Sequence, residues 1–428
     1  MGRPAFTRFL VPQDATGGRG VRWGTDFATW DDLLAAGRGL AGRLGGGRAF
    51  VVDPTVGIAS IAALFAVATV PDRTLLWASV DTLGVPHREL APGLHEIEPP
   101  VAGDIDRPLW GVCTSGSSGR PKVAIGHADL WELVALHYQR AIYEDTPEVL
   151  ATNLPLQFSA AFFMAVLPSM FLRLDLVVFP THDWTPVHDA ARDRDVAVLT
   201  VPAMAAAACL GTAGTTDMRR VALFLGGGHV SAERVRLISA RFDGVSIANL
   251  YGTAETGAVA VDRAPGHNEH VGHPIPGKAV WLADTDEHGV GKVATAGPDC
   301  CRYVWRPGAG VTANDGHVAG TDLGRFDEQG RLCLEGRVDG GEKLTGVLVY
   351  PRSIERHLLA LPGVLDARVL VRRGASGLEH LAARVVGTVA EAQVRAHCAT
   401  LPEIERPSRI ECVAEADALA AANANGKL

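Results

Sequence analysis

Apolar positions in the first third of the chain switch between helical spacing and short continuous runs. Residues 30–44 carry apolar side chains at helical spacing and stop at three glycines, Gly45 to Gly47, which predicts a helix that ends there. Residues 49–54 are typical of a buried strand, residues 58–70 of an apolar helix, and residues 74–79 of a second strand. The pattern predicts a strand–helix–strand unit at the start of the chain.

The same rhythm recurs in the middle of the chain. Strand-like apolar runs alternate with helical segments, at residues 176–179, 196–200, 203–210, 221–225 and 231–241. Continuous Val/Leu strands that alternate with helices indicate parallel sheets covered on both faces. Residues 271–335 instead show shorter strands and glycine-rich turns, which predict a small β-rich subdomain.

The last ninety residues have a pattern of their own. Helical segments at 353–361 and 389–398 flank strand-like runs at 364–372 and 381–386, which predicts a compact α+β unit. Asp339 and two adjacent glycines precede it, and glycines can absorb large dihedral changes. We therefore expect two domains, 1–338 and 339–428, joined by a hinge at Asp339.

Composition narrows the class of protein. The chain has 428 residues, 47% of them hydrophobic and 21% charged, with a net charge of −8 and no Lys/Arg-rich run. Neither a nucleic acid nor a membrane is therefore expected as a partner. The seven cysteines form no C-x-x-C pair, which indicates reduced thiols, and no signal-peptide core is visible. We expect a cytoplasmic protein.

One segment is suited to binding phosphate groups. Residues 114–122 read TSGSSGRPK, nine small, hydroxylated or basic residues after an apolar lead. Glycines let successive backbone amides turn toward one anion, hydroxyls add donors, and Lys122 adds a positive charge. No Gly-Lys-Ser/Thr closes the segment, so it is not a Walker A loop.

Further motifs follow in a fixed order. They are YGTAETG at 251–257, VGHPIPG at 271–277, GTDLGR at 320–325, GRVD at 336–339, KLTG at 343–346 and NGKL at 425–428. Together with residues 114–122, this series resembles the adenylate-forming superfamily of acyl-CoA synthetases, nonribosomal-peptide adenylation domains and luciferases. The resemblance extends from about residue 25 to the last residue. It implies an α/β fold with a large N-terminal domain of parallel-sheet subdomains, shortened at its start, and a small mobile α+β C-terminal domain.

The resemblance also implies a site for ATP and Mg²⁺. The phosphates would contact the loop residues Thr114, Ser115, Gly116, Ser117, Ser118, Gly119 and Lys122. The adenosine part would contact Gly227, Tyr251, Gly252, Thr253, Asp322 and Arg337. Glu255 would coordinate Mg²⁺, as a hard oxygen ligand suits. Lys427, Thr253 and Lys122 are the expected catalytic residues, and Lys343, Leu344, Thr345 and Gly346 form the expected thiol-transfer loop.

The sequence says less about the acid substrate than about the nucleotide. The resemblance places a pocket at Gln157, Phe158, Phe162, Gly226, Gly228 and His229. Amino-acid-activating relatives have an aspartate where this chain has Ser159, so an α-amino acid is disfavoured. Phenylalanines facing a glycine strip favour an aryl or short acyl acid.

Several alternatives stay open at this point. The thiol acceptor is coenzyme A or the phosphopantetheine of an acyl carrier protein, because both present the same arm. An enzyme that only loads a carrier protein, and one that adenylates an unusual oxyacid such as nitrite for capture by an amine (diazotase-like), fit the same motifs. A non-catalytic binding protein is disfavoured by the intact Lys122, Glu255, Asp322, Arg337 and Lys427.

Overall fold

The computed structural model describes most of the chain. The described residues are 18–101, 107–114, 121–144, 147–210, 214–228, 230–266, 270–338, 340–344, 347–373, 379–414 and 417. Among them, no helix is both long and apolar enough to cross a membrane. All seven cysteines are free thiols in the structure.

Strands make up much of the described structure. Those before residue 144 are β1 (Gly20–Trp23), β2 (Asp26–Thr29), β3 (Ala49–Val52), β4 (Thr74–Trp77), β5 (His87–Ala91), β6 (Leu94–Ile97), β7 (Leu109–Thr114) and β8 (Lys122–His127). Those from 147 to 274 are β9 (Val149–Thr152), β10 (Asp175–Val178), β11 (Val196–Thr200), β12 (Thr216–Asp217), β13 (Val221–Gly226), β14 (Phe242–Asp243), β15 (Ser246–Thr253), β16 (Gly257–Asp262) and β17 (His273–Pro274). Those from 279 to 337 are β18 (Ala279–Ala283), β19 (Gly291–Ala296), β20 (Tyr303–Arg306), β21 (Gly310–Ala313), β22 (Val318–Phe326) and β23 (Leu332–Arg337). The last are β24 (Glu342–Leu344), β25 (Val347–Val349), β26 (Val364–Arg373), β27 (Glu379–Gly387) and β28 (Arg409–Val413).

The helices confirm the periodicity of the sequence. They are α1 (Trp30–Ala41), α2 (Ala59–Ala68), α3 (Val80–Leu83), α4 (Trp131–Ala141), α5 (Ser159–Ala161), α6 (Leu167–Leu172), α7 (Thr185–Ala190), α8 (Pro202–Leu210), α9 (Ala232–Arg241), α10 (Pro351–Leu359) and α11 (Glu391–Cys398). A π-helical turn, Phe162–Val166, joins α5 to α6. The N-terminus of α1 is fixed by a capping box, in which Thr29 and Asp32 exchange hydrogen bonds.

The largest sheet has nine strands in the order β17-β16-β15-β13-β11-β9-β10-β1-β2. The strands from β15 to β1 are parallel, and both edges are antiparallel. Alternate residues face two different cores: Val198 and Leu223 pack on one side, Leu199 and Phe224 on the other. The predicted parallel sheet covered on both faces is confirmed here.

A second sheet has eight strands in the order β21-β20-β8-β7-β4-β3-β6-β5. Strands β3, β4 and β7 are parallel, as expected for the segments at 49–54 and 74–79, and the outer strands, for which the sequence pattern made no prediction of direction, pair antiparallel. Its strands β20 and β21 come from the segment assigned to the β-rich subdomain. They leave that subdomain because Trp305 is buried against Val123 and Ile125 of β8.

Four smaller sheets complete the described structure, and two of them are two-stranded pairs, β12–β14 and β24–β25. The β-rich subdomain is a four-stranded sheet in the order β18-β19-β22-β23. Near the C-terminus, β26, β27 and β28 form a sheet that shares an apolar core with α10 and α11. This unit contacts the preceding part of the chain: Arg356 Nη1 donates to Glu335 Oε2 at 2.6 Å, and Ser231 Oγ donates to Leu365 O at 3.0 Å. The domain boundary at Asp339, which lies outside the described residues, stays a prediction.

Candidate active site

The two ends of the predicted phosphate loop belong to paired antiparallel strands. Strand β7 ends at Thr114, β8 begins at Lys122, and these two residues are paired across the hairpin. Gly111 in β7 is enclosed by Leu76 and Val123, where an added Cβ would come within 2.6 Å and 2.8 Å of side-chain carbons. The hairpin therefore fixes both ends of the loop on a packed sheet. The residues from Ser115 to Gly119 lie outside the described residues.

Three predicted nucleotide-binding residues come together between two sheets. Tyr251 Oη donates to Asp322 Oδ2 at 2.7 Å, and Arg337 Nε lies 3.6 Å from Asp322 Oδ1. Asp322 in β22 is paired with Arg337 in β23, and Arg337 Nη2 donates to Thr321 Oγ1 at 2.6 Å. The pairing of β22 with β23 therefore sets the distance between the carboxylate of Asp322 and the guanidinium of Arg337.

Electrostatics keep Tyr251 a hydrogen-bond donor. Burial, followed by the Asp322 charge and the hydrogen bond to it, raises the pKa of Tyr251 well above its ordinary value. The phenol consequently stays protonated at any physiological pH and orients the carboxylate of Asp322. A carboxylate held in this way can accept hydrogen bonds from a pair of neighbouring hydroxyls.

A glycine strip lies beside this group. Strand β13 ends at Gly226, which is paired with Leu250 of β15, so residues 226–228 and 251–253 lie at the same carboxyl edge of the sheet. Gly227 has φ +72°, a conformation that favours glycine, and a Cβ on Gly226 or Gly228 would approach neighbours at 3.3 Å and 3.5 Å. Ligands of open α/β sheets bind at such an edge.

The turn after β15 holds the predicted metal ligand. Thr256 Oγ1 accepts from Thr253 N at 3.0 Å, and Thr253 Oγ1 accepts from Thr256 N at 3.2 Å. Between them, the carbonyl of Glu255 accepts from Cys301 N at 2.8 Å, and the side chain of Glu255 is partly exposed. The closed turn therefore presents Glu255 to solvent on a fixed backbone.

The residues present fit ATP and Mg²⁺. The glycine strip leaves a surface without side chains for a flat base, and Asp322 offers an oriented carboxylate for ribose hydroxyls. Among the described residues no group of three His, Cys, Asp or Glu side chains could hold a metal ion alone. Mg²⁺ usually takes one or two carboxylates plus substrate phosphates, and Glu255 would supply that carboxylate.

The predicted acid pocket is corrected in one respect. Phe162 is fully buried, with its ring centroid 5.2 Å from Trp77 and 5.4 Å from Trp131, so the structure places it in the core instead of on an open pocket wall. Gln157 and Phe158 are partly buried just before α5, and Phe158 packs against the same core. His229 lies outside the described residues.

The thiol-transfer loop is only partly described. Lys343 and Leu344 belong to β24, which pairs with β25. Leu344 is buried in the C-terminal apolar core, and the role of residues 343–346 in thiol transfer stays a prediction. Thr345, Gly346 and the predicted catalytic Lys427 lie outside the described residues.

Sequence reasoning missed four polar residues around the site. Tyr138, Lys278 and Asp299 form a buried hydrogen-bonded group under the 253–256 turn. Asn153, directly after β9 at the carboxyl edge of the large sheet, is 7% exposed, and its amide has no hydrogen-bond partner among the described residues. Tyr138, Lys278 and Asp299 could not be grouped from the sequence because they lie far apart along the chain. The burial of Asn153 has no sequence signature.

Comparisons with known proteins agree with this geometry. A family model described as AMP-binding enzyme matches residues 52–304. The isonitrile lipopeptide synthase of Streptomyces coeruleorubidus is 32% identical over 330 residues, which are 70% of this chain and 22% of that protein. The chain therefore spans about a fifth of the length of this relative.

Solved structures share the fold. ATP-bound MatB from Rhodopseudomonas palustris superposes with a TM-score of 0.72 at 21% identity, covering 96% of this chain and 95% of that one. The anthranilate CoA ligase AuaEII in complex with anthranoyl-AMP gives a TM-score of 0.72 at 16% identity, covering 100% and 96%. The chain belongs to the AMP-binding enzyme family, and the predicted membership of the adenylate-forming superfamily and its fold are confirmed.

Proposed function

We propose that the chain is a ligase that activates a carboxylic acid with ATP and passes the acyl group to a pantetheine thiol. The observation that carries the proposal is the convergence of Tyr251, Asp322 and Arg337 beside the glycine strip and the 253–256 turn. Such a convergence suits AMP, the group that remains after pyrophosphate leaves.

The first half-reaction would be adenylation. A carboxylate oxygen of the acid attacks the α-phosphorus of ATP, the bond between the α-phosphorus and its bridging oxygen to the β-phosphorus breaks, and pyrophosphate departs. This chemistry depends on positioning and charge stabilisation more than on covalent catalysis. Lys122 at the start of β8 and the loop before it would hold the departing phosphates. Mg²⁺ held by Glu255 would neutralise charge on the phosphate oxygens.

Asp322 would anchor the other end of the nucleotide. Its carboxylate accepts the ribose hydroxyls while Tyr251 and Arg337 keep it oriented, so the α-phosphorus stays at a fixed distance from the sheet edge. Thr253 lies two residues before Glu255, where its hydroxyl is already engaged with Thr256. Lys427 would bridge the carboxylate and the α-phosphate as charge develops there.

The second half-reaction would transfer the acyl group. The thiol sulfur attacks the acyl carbon, the thiol proton is released, and AMP departs with the bridging oxygen. The hinge at Asp339 would bring residues 343–346 toward the site for this step. The names of two relatives support a pantetheine acceptor: one is an indoleacetate–CoA ligase of Aromatoleum aromaticum, and the other is a 3,4-dihydroxybenzoate–[aryl-carrier protein] ligase of Bacillus anthracis.

The acid is proposed to be aryl or short acyl. Ser159 stands where an aspartate would pair the ammonium of an α-amino acid, and Gln157, Phe158 and the glycine strip leave space for a flat, uncharged group. The anthranoyl-AMP complex of a protein with the same fold agrees with a planar acid. The buried amide of Asn153 is a further polar group at this edge.

The test is an acid panel. Pyrophosphate exchange into ATP is measured with aryl, short acyl, long acyl and α-amino acids and with nitrite, each with and without coenzyme A. We expect exchange with aryl or short acyl acids and AMP release when the thiol is added. Lys427→Ala should abolish exchange but retain transfer from preformed acyl-AMP. Exchange with nitrite alone, or with no acid, would contradict the proposal.

A further inference from the structure

A buried ion pair lies under the turn that carries Glu255. Lys278 Nζ donates to both carboxylate oxygens of Asp299 at 2.8 Å, and each side chain is 1% exposed. Tyr138 Oη donates to Asp299 Oδ2 at 2.6 Å. We call these three residues the Lys278–Asp299–Tyr138 network. Burying an ion pair costs desolvation energy, and a protein is often equally stable or more stable when apolar residues of similar volume replace the pair. Stability alone therefore does not account for it.

The network is bonded to the backbone of the turn. Lys278 Nζ donates to the carbonyl of Thr256, and Tyr138 Oη accepts from Ala258 N at 3.0 Å. Burial and the Asp299 charge raise the pKa of Tyr138 well above its ordinary value, so the phenol keeps its proton for Asp299. Tyr138 therefore links the carboxylate of Asp299 to the backbone of the turn, because its hydroxyl donates to Asp299 and accepts from Ala258 N.

The fit between network and turn is close. Gly257 has φ +65°, and a Cβ at this position would overlap Asp299 Oδ2 and Tyr138 Oη. On the other side, Cys301, two residues after Asp299, donates its backbone N–H to the carbonyl of Glu255. The backbone from Glu255 to Ala258 is thus held at three places, Glu255 O, Thr256 O and Ala258 N, by groups from outside the turn.

The three side chains come from separate parts of the fold. Tyr138 belongs to α4, Lys278 directly precedes β18, and Asp299 follows β19. Strands β18 and β19 belong to the small β-rich sheet, whereas the turn joins β15 to β16 of the nine-stranded sheet. The network therefore fixes the turn relative to two other elements and not only within its own hairpin.

We propose that Lys278, Asp299 and Tyr138 are positioning residues that hold Glu255 where it meets the metal ion of ATP-Mg. The proposal rests on the proposed function, because it takes Glu255 as the metal ligand. If the proposal is correct, loss of the network weakens the binding of Mg²⁺ with ATP but leaves the affinity for AMP unchanged. Outer-shell partners of metal ligands typically change metal affinity by about 10- to 100-fold when removed.

The test compares two paired variants. Lys278→Met with Asp299→Asn removes both charges and keeps side-chain volume, which avoids leaving one buried ion unpaired. The control, Lys292→Met with Asp284→Asn, removes an exposed Lys–Asp pair of the same β-rich sheet, in which Nζ and Oδ2 are 2.9 Å apart. Tyr138→Phe is a third variant that removes only the hydroxyl.

The first readout needs no activity. Hydrogen exchange of the backbone amides from 255 to 258 is followed in the free protein, together with AMP binding by calorimetry in the absence of metal. We expect faster exchange at these amides in the network variant and in Tyr138→Phe, no change in the control, and AMP affinity within about twofold of the parent in all three. Unchanged amide exchange in both network variants overturns the proposal.

The second readout is the Mg²⁺ concentration that half-saturates ATP binding. We expect it to rise at least about tenfold in the network variant and to stay constant in the control. An unchanged value, or a loss of AMP affinity equal to the loss for ATP-Mg, refutes the positioning role. If the parent protein shows no acid-dependent pyrophosphate exchange, the proposed function fails, yet both readouts still decide the role of the network. If the paired variant does not fold, Tyr138→Phe decides it.

Discussion

The proposed contact between Asp322 and the ribose gives a quantitative prediction. The carboxylate is oriented by Tyr251 Oη at 2.7 Å and by Arg337 at 3.6 Å. Two ribose hydroxyls that donate to it would form two hydrogen bonds to a charged group, each worth about 1.5 kcal/mol. Their sum of about 3 kcal/mol corresponds to roughly 100-fold in affinity. AMP should therefore bind about 100-fold more tightly than 2′,3′-dideoxy-AMP, and Asp322→Ala should reduce this ratio to near one.

The Asp322→Ala substitution needs a control for its effect on Tyr251. Asp322→Ala alone leaves the half-buried Tyr251 hydroxyl without its acceptor, at a cost of about 1 kcal/mol of unfolding free energy. Asp322→Ala is therefore made in the Tyr251→Phe background as well, where both partners are gone and the structural cost is small. The dissociation constants of the two nucleotides are measured by calorimetry for parent, single and double variants, which closes a thermodynamic cycle. A ratio that stays large without Asp322 would show that the ribose lies elsewhere.

Three further outcomes are expected. Phe162→Ala should lower the free energy of urea unfolding by about 3–5 kcal/mol and leave the KM for the acid in pyrophosphate exchange unchanged, because the ring is fully buried among Trp77 and Trp131; a raised KM for the acid at unchanged stability would return Phe162 to the acid pocket. Burial raises the pKa of Cys301 to about 12. Its thiol should therefore resist iodoacetamide at pH 8 and react about tenfold faster per pH unit up to pH 10, followed by mass spectrometry, and a plateau below pH 9 would contradict this. Ser231→Ala should cost about 1–2 kcal/mol in the same unfolding assay, since Ser231 Oγ accepts from Arg234 N at 3.2 Å and donates to Leu365 O; Ser231→Thr should retain most of that stability.

Much of the fold could be predicted because local signals and tertiary structure agree. The helix at residues 30–44 is followed by glycines and begins at a capping residue, and the structure has α1 and a short 3₁₀ turn, Gly42–Leu44, in this segment. The central strands β10, β11 and β13 of the nine-stranded sheet pack against apolar cores on both faces, so their continuous apolar runs predict strands correctly. Strands β20 and β21 were assigned to the wrong sheet because apolar alternation identifies a strand but not its partner.

Some residues of the candidate site could be predicted from sequence motifs, and others become visible only in the tertiary structure. Tyr251, Asp322 and Arg337 lie within motifs whose order along the chain points to one nucleotide, and the structure brings them together. Phe162 was misassigned because an aromatic residue at a helical position has the same pattern in a core and in a pocket. Lys278 and Asp299 were overlooked because a single lysine or aspartate between strands normally faces solvent, and only the tertiary structure pairs them.

In the proposed mechanism, a carboxylate oxygen attacks the α-phosphorus of ATP. The decisive measurement uses the acid that supports the fastest exchange, labelled with ¹⁸O in both carboxylate oxygens and incubated with the protein, ATP, Mg²⁺ and coenzyme A. The mechanism predicts AMP that carries one ¹⁸O atom, detected by mass spectrometry, because AMP departs with the bridging oxygen. Unlabelled AMP, or ADP as the nucleotide product, would contradict the account.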